Sequence, residues 1–376
     1  MAEKIRLLHC IETISSGGVE KVRLTIADNL DFEKFDYKII CTQAKGIIKE
    51  RLEARGVEIF EVGPFVSLFE WKKYRKVIKI INAYKPHLIH GAVFEGMSMA
   101  TIGGLCGRVP IVILEETSDP QTRSKKAIWL QRMYAVFADK VVGISPAVVK
   151  YLQERVKISS KKTILITNGV SIPKRNDQEE LSKLKVKLGF KQNDFIIGSV
   201  GRVHNKVKRF SDILEAIKDL NNFHVKFLLV GAGPDLNGLV KKAKELSLEN
   251  QFVSVGFQGD TNPFYSIMDL FCLPSAHEGF GLVAAEAMLH NLPVVATNVG
   301  GLKDIVIDGE TGFLVSRQSP QQLAKKFLIL IGNEELRKSF GEKGYKRAIE
   351  NYTEKQYCEN LFSLYDGLLK QKGISI

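Results

Sequence analysis

Two carboxylates eight residues apart, Glu278 and Glu286, bracket the turn Gly279-Phe280-Gly281 in the stretch Pro274 to Met288, PSAHEGFGLVAAEAM. The apolar run Leu270 to Leu273 before it reads as a buried strand, and Leu282 to Leu289 after it reads as a helix. A strand, a glycine turn and a helix N-terminus form a concave place with unpaired backbone N–H groups, which favours anions. The two acids beside it can accept hydrogen bonds from hydroxyls. Hydroxyls and phosphate on one ligand describe a nucleotide sugar.

A second constellation is Gly201 to Phe210, GRVHNKVKRF, between the strand-like run Phe195 to Val200 and a helical segment, Ser211 to Leu220. Its cations include Arg202, Lys206 and Lys208. A nucleoside diphosphate gains negative charge as a glycosidic bond breaks, so cations placed beyond a strand stabilise the transition state more than the ground state. The chain contains no Asp-x-Asp pair, the usual carboxylate holder of a divalent ion on a diphosphate. The third group is Gly17-Gly18-Val19-Glu20 after the first apolar run. Glycines there let the backbone approach a phosphate or sugar closely.

The elements that must position these groups alternate. In the first half, strand-like runs at Ile5 to Ile11, Tyr37 to Thr42, Glu58 to Val62, His87 to His90, Ile111 to Leu114, Lys140 to Ile144 and Lys162 to Thr167 are separated by helical segments. These include Val19 to Asn29, Trp71 to Tyr84 and Leu130 to Ala138. A second series runs from Phe195 to Val315. Alternation at this spacing predicts parallel sheets covered by helices on both faces, with ligands beyond the carboxyl ends of the strands. At 376 residues the chain suits two domains. The polar segment Pro173 to Asn176 divides them, giving 1–172, 173–353 and closing helices over 354–376.

The block Glu, seven residues, Glu with Gly-Phe-Gly-Leu inside resembles the signature of retaining GT-B glycosyltransferases of the large group 1 family, which is family 4-like. The resemblance covers nearly the whole chain and is strongest from Gly201 to Val315. It implies an α/β, GT-B fold: two doubly wound Rossmann-like domains facing across a cleft, the first binding the acceptor and the second the donor, with the closing helices packed back on the first. It implies that Glu278 lies near the transferred sugar and that Glu286 accepts from the ribose hydroxyls. The backbone of Phe280, Gly281 and Leu282 would meet the sugar and diphosphate. Arg202 matches the family's Arg. For the Lys that follows, counting back from the helix selects Lys208, with Arg209 where glycine is usual, and counting forward from Gly201 selects Lys206. Gly17 and Gly18 match the family's Gly-Gly-x-Glu. Gly231 and Gly233 would border the nucleotide base. His90 matches a family position near the reacting sugar, although the second histidine usual two residues later is Ala92 here. Glu115 and Glu116 end a strand and are candidates for acceptor contact. The activity implied is metal-independent transfer of a hexose from a nucleoside-diphosphate sugar to a glycan or lipid-linked acceptor, with no cofactor, in cell-surface polysaccharide synthesis. A sugar epimerase or phosphorylase of the same fold is the alternative.

Composition narrows the rest. Residues 1–176 carry 29 Lys and Arg against 18 Asp and Glu, while the remainder carries 25 against 24. A basic half beside a neutral one implies that one domain meets something anionic. The densest spots are Lys72, Lys73, Arg75, Lys76 and Lys79, with Trp71 and Tyr74 among them, and Arg123, Lys125, Lys126 and Arg132, with Trp129 and Tyr134. Both suit an amphipathic helix on an anionic membrane surface. No nucleic-acid motif accompanies the charge. A nicotinamide oxidoreductase would show Gly-x-Gly-x-x-Gly after its first strand, and neither Gly17-Gly18 nor Gly231-Ala232-Gly233 supplies it. The five cysteines are scattered in or near apolar runs, as expected for core packing in a reducing compartment. With no signal-peptide pattern and no membrane-length apolar run, a cytoplasmic protein, peripheral at the inner face of the cell membrane, is expected.

Overall fold

The computed structural model describes residues 3–15, 17–66, 70–118 and 123–374. The chain divides into two compact units, residues 1–169 with 354–376, and residues 170–353.

Nine strands belong to the first unit: β1 (Ile5–Cys10), β2 (Thr13–Ile14), β3 (Phe35–Cys41), β4 (Gln43–Ala44), β5 (Glu58–Glu61), β6 (Leu88–Ala92), β7 (Ile111–Glu116), β8 (Lys140–Gly143) and β9 (Thr163–Leu165). Seven form one parallel sheet in the order β5-β3-β1-β6-β7-β8-β9, and β2 pairs with β4. Their runs of Leu, Ile and Val are buried on both faces, as a helix-covered parallel sheet requires. The order reverses between β1 and β6. Loops leaving the carboxyl ends of neighbouring strands diverge at that point and open a crevice. The helix Glu354–Gln371 packs along the helix Gly18–Asn29, and the Thr25 hydroxyl donates to Glu354 at 3.0 Å.

The second unit repeats the plan with β10 (Phe195–Val200), β11 (Val225–Val230), β12 (Phe252–Ser254), β13 (Leu270–Leu273), β14 (Val294–Thr297) and β15 (Gly312–Val315). All are parallel, in the order β12-β11-β10-β13-β14-β15, so the reversal falls between β10 and β13. The arginine–lysine loop leaves β10 and the glutamate block leaves β13. The topology therefore puts the two strongest sequence features side by side.

Several elements differ from the sequence expectation. The helix expected from Leu130 begins at Lys125, because the Ser124 hydroxyl caps it by accepting from the Ala127 N–H. A four-residue helix, Asn205–Lys208, occupies the basic loop. Cys106 is exposed, while the other four cysteines are buried.

Candidate functional site

In the second unit Lys208 Nζ lies 2.6 Å from Glu278 Oε2. The short helix Asn205–Lys208 places the lysine there. Asp235 accepts from the Asn205 N–H at 2.7 Å, Asn205 and Ser211 exchange hydrogen bonds at 2.9 and 3.0 Å, and the Val207 carbonyl accepts from the Ala276 N–H at 2.7 Å. The loops after β10, β11 and β13 are thus stitched together. Gly231 is required for this: a Cβ there would strike the Gly201 carbonyl oxygen, and its φ is +144°.

Lys206 and Arg202 are exposed, and Lys208 is the lysine paired with Glu278. Arg209 explains why glycine suits the next position. It sits in the left-handed region at φ 56°, ψ 32°, and ends the short helix. Its guanidinium pairs with the buried Asp212 at 2.7 Å, which offsets the backbone cost. Burial still holds the Asp212 carboxyl above its usual range, against the pull of Arg209.

The glutamate block is equally fixed. Gly281 caps the helix Leu282–Leu289 at φ +109°, a conformation any side chain would strain, and a Cβ would lie 2.6 Å from Leu302. The Glu278 carbonyl accepts from the Gly301 N–H at 3.0 Å, and the Ser275 carbonyl accepts from the Thr297 hydroxyl at 2.6 Å. Phe280 is buried edge-on against Tyr352, with ring centres 5.6 Å apart, which leaves its backbone as the part able to meet a ligand.

Glu286 is held by residues that the sequence did not single out. The Tyr265 hydroxyl donates to Glu286 Oε2 at 2.8 Å. The Tyr265 ring stacks on His290 at 4.8 Å, and His290 bonds the Glu286 carbonyl through Nδ1 and Asn262 through Nε2. Burial and the neighbouring Glu286 push the Tyr265 hydroxyl well above its ordinary range, so it stays a donor. The only signal in the sequence was a Tyr on a short helix, Asn262–Ser266, just before β13.

In the first unit the structure departs from expectation. His90 is wholly buried at the carboxyl-end half of β6, with Nδ1 at 2.7 Å from the Tyr365 hydroxyl and Nε2 at 3.1 Å from Glu115. Glu115 and Glu116, expected to meet an acceptor, are buried as well. Arg23 reaches in from the helix Gly18–Asn29 and grips Glu115 through both oxygens, at 2.7 and 2.9 Å. Arg23 also contacts His9, which bonds Tyr365 and Tyr37. Burial alone would raise the Glu115 carboxyl, but Arg23 and His90 hold it down at about 2. Burial lowers both histidines, so the imidazoles are neutral. Glu116 is enclosed by Arg123, Gln131 and Ser118. Arg123 and Tyr134 therefore belong to the interior rather than to a basic outer surface.

Gly17 caps the helix Gly18–Asn29, and a Cβ on it would strike the Glu20 carboxylate, which accepts from the Thr13 and Ser15 hydroxyls at 3.1 and 3.2 Å. Burial and the nearby Glu95 and Glu20 raise the Glu12 carboxyl. Three acids crowd this turn, so its chemistry favours hydroxyls over phosphate.

Comparison with known proteins agrees with this geometry. The "Glycosyl transferases group 1" family model matches residues 181–347, and the "Glycosyltransferase Family 4" model matches residues 16–173. An uncharacterised glycosyltransferase of Methanocaldococcus jannaschii is 30% identical over 293 residues, 73% of this chain and 76% of that one. The chain belongs to the group 1 glycosyltransferases. This glycosyltransferase is also 29% identical to the capsular polysaccharide biosynthesis glycosyltransferase CapM of Staphylococcus aureus over 320 residues, 81% of this chain and 83% of that one. The Anabaena HepE structure with UDP-glucose superposes with a TM-score of 0.86 at 23% identity, covering 96% of this chain and all of that one. The glycosyltransferase shares the GT-B fold, two Rossmann-like units with parallel sheets. Among the described residues no helix is long and apolar enough to cross a membrane.

Proposed function

We propose that this enzyme transfers a hexose, with retention of anomeric configuration and without a metal ion, from a nucleoside-diphosphate sugar to a glycan or lipid-linked acceptor of a cell-surface polysaccharide. The reading rests on one observation: Lys208 and Glu278 meet where β10 and β13 diverge, with Arg202 on the same loop and Glu286 along the helix that follows. The capsular role of CapM and the UDP-glucose held by HepE favour the same substrate class.

In this reading the diphosphate lies over the N-terminus of the helix Leu282–Leu289, against the backbone N–H groups of Gly281 and Leu282. Arg202 and Lys208 neutralise the charge that appears on it as the anomeric C–O bond breaks. The ribose hydroxyls donate to Glu286, which Tyr265 holds in place. A sugar hydroxyl donates to Glu278. The acceptor hydroxyl attacks from the face the diphosphate leaves, and a leaving-phosphate oxygen takes its proton. His90 acts by positioning, through the buried cluster, and the acidic turn at Gly17 and Gly18 receives hydroxyls. Gly231 and Gly233 border the base. Proton NMR of reactions run in EDTA with a panel of nucleotide sugars and acceptors tests this. Product with the donor's anomeric configuration is expected, and inverted product or an absolute requirement for a divalent ion would overturn it.

A further inference from the structure

We propose that the outward face of the helix Lys125–Phe137 docks on an anionic lipid surface. A surface helix ordinarily turns its apolar side inward and its polar side to water. This one is reversed over much of its length. Its exposed positions are Lys125, Lys126, Trp129, Arg132, Met133, Val136 and Phe137, spaced along one face, and Trp129, Val136 and Phe137 are 57%, 59% and 46% exposed. The buried face carries the polar Gln131. Gln131 donates to Glu116 at 2.7 Å and accepts from Arg123 at 2.8 Å and from Tyr151 at 3.2 Å. That buried network fixes the rotation of the helix about its axis, so the aromatic and aliphatic side chains are held outward.

Charge selects the occupant. The crossovers from β5 to β9 run in the direction opposite to those from β1 to β5, so right-handed connections put the helices Trp71–Tyr84, Val93–Cys106 and Lys125–Phe137 together on one face of the sheet. These three helices hold eight Lys and Arg and a single acid, Glu95. The helices of the other face, Gly18–Asn29, Ile47–Ala54 and Glu354–Gln371, hold six Lys and Arg and seven acids. The positive excess of the first unit is therefore concentrated on the layer that exposes Trp129 and Phe137. The helix Trp71–Tyr84 contributes charge: it buries Tyr74, Val77 and Ile81 and turns Lys72, Arg75, Lys76 and Lys79 outward. An apolar ridge flanked by cations and lacking acids fits a bilayer with anionic headgroups, aromatic and aliphatic side chains entering the headgroup boundary.

The full chain carrying Trp71→Phe tests this, because Trp129 is then its sole tryptophan. Vesicles of phosphatidylcholine with about one third phosphatidylglycerol should shift Trp129 emission to the blue and make it quenchable by brominated lipid, with most of the effect reversed in about 0.5 M salt. Adding Val136→Ser and Phe137→Ser should lower vesicle partition at least about tenfold with the melting temperature unchanged. Three results would overturn the proposal. They are emission indifferent to anionic vesicles, equal partition onto pure phosphatidylcholine, or a lipid-free blue shift that grows with protein concentration and so marks a second copy on this face.

Discussion

Lys208 and Glu278 form an ion pair of 2.6 Å across the loops of two adjacent strands, although 70 residues separate them in the chain. The pair places a cation and a carboxylate where β10 and β13 part. If that cation meets the leaving diphosphate, Lys208→Met lowers kcat by about 100-fold with little change in donor KM, the effect of losing one donor to developing charge. Lys206→Met should stay within about threefold of wild type, since Lys206 points to solvent. Initial-rate measurements on both variants separate the two lysines, and equal losses would remove the assignment.

Tyr265→Phe removes the hydroxyl that orients Glu286. One hydrogen bond to a charged group contributes about 2 kcal/mol, so donor KM should rise roughly tenfold or more with kcat nearly unchanged. The increase should vanish for a donor whose ribose lacks its 2′ and 3′ hydroxyls. An unchanged KM for the ordinary donor would show that Glu286 is placed without Tyr265.

Arg209→Gly relieves a left-handed residue, gaining about 1 kcal/mol, and strips the buried Asp212 of its partner, losing about 3 kcal/mol. Chemical denaturation should find the variant less stable by about 1–3 kcal/mol near pH 8. The deficit should shrink toward pH 5. Asp212 already sits above its usual range, and without Arg209 it rises further, so the protonated folded state is favoured as pH falls. A variant as stable as wild type at both pH values would contradict this.

The cluster of His9, His90, Arg23 and Glu115 makes the first unit sensitive to acid. All three titrating groups have folded values below their unfolded ones. The unfolded chain therefore binds more protons, and stability falls with falling pH. The histidines contribute fully above about 6.5 and lose their contribution below it, while Glu115 loses its contribution between about 4.5 and about 2. Melting temperature should decline from pH 7.5 to 5, with a shallower slope in His9→Gln/His90→Gln. A slope as steep in that variant would place the titration elsewhere.

The sequence exposed the elements that announce themselves locally. The apolar runs Phe195–Val200, Val225–Val230 and Leu270–Leu273 coincide with β10, β11 and β13, because buried parallel strands need continuous Val, Ile and Leu. Gly281 announced the turn before the helix Leu282–Leu289. What stayed hidden depends on distant partners. His90 and Glu115 read as strand-end polar residues, and only Tyr365, 275 positions from His90, and Arg23 reveal a closed interior cluster. The choice between Lys206 and Lys208 turned on a single helical turn ended by a left-handed Arg209, a residue type that gives no warning of that backbone. The rotation of the helix Lys125–Phe137 was equally hidden, because it is set by Gln131 reaching Glu116 rather than by apolar periodicity.

Calorimetric titration of nucleoside diphosphates, UDP first, in EDTA tests the central claim most directly. The account predicts binding to the wild type without a divalent ion, weakened at least about tenfold by Arg202→Ala and by Glu286→Ala, with folding intact. Binding that appears only when a divalent ion is added, or that neither substitution alters, would contradict it.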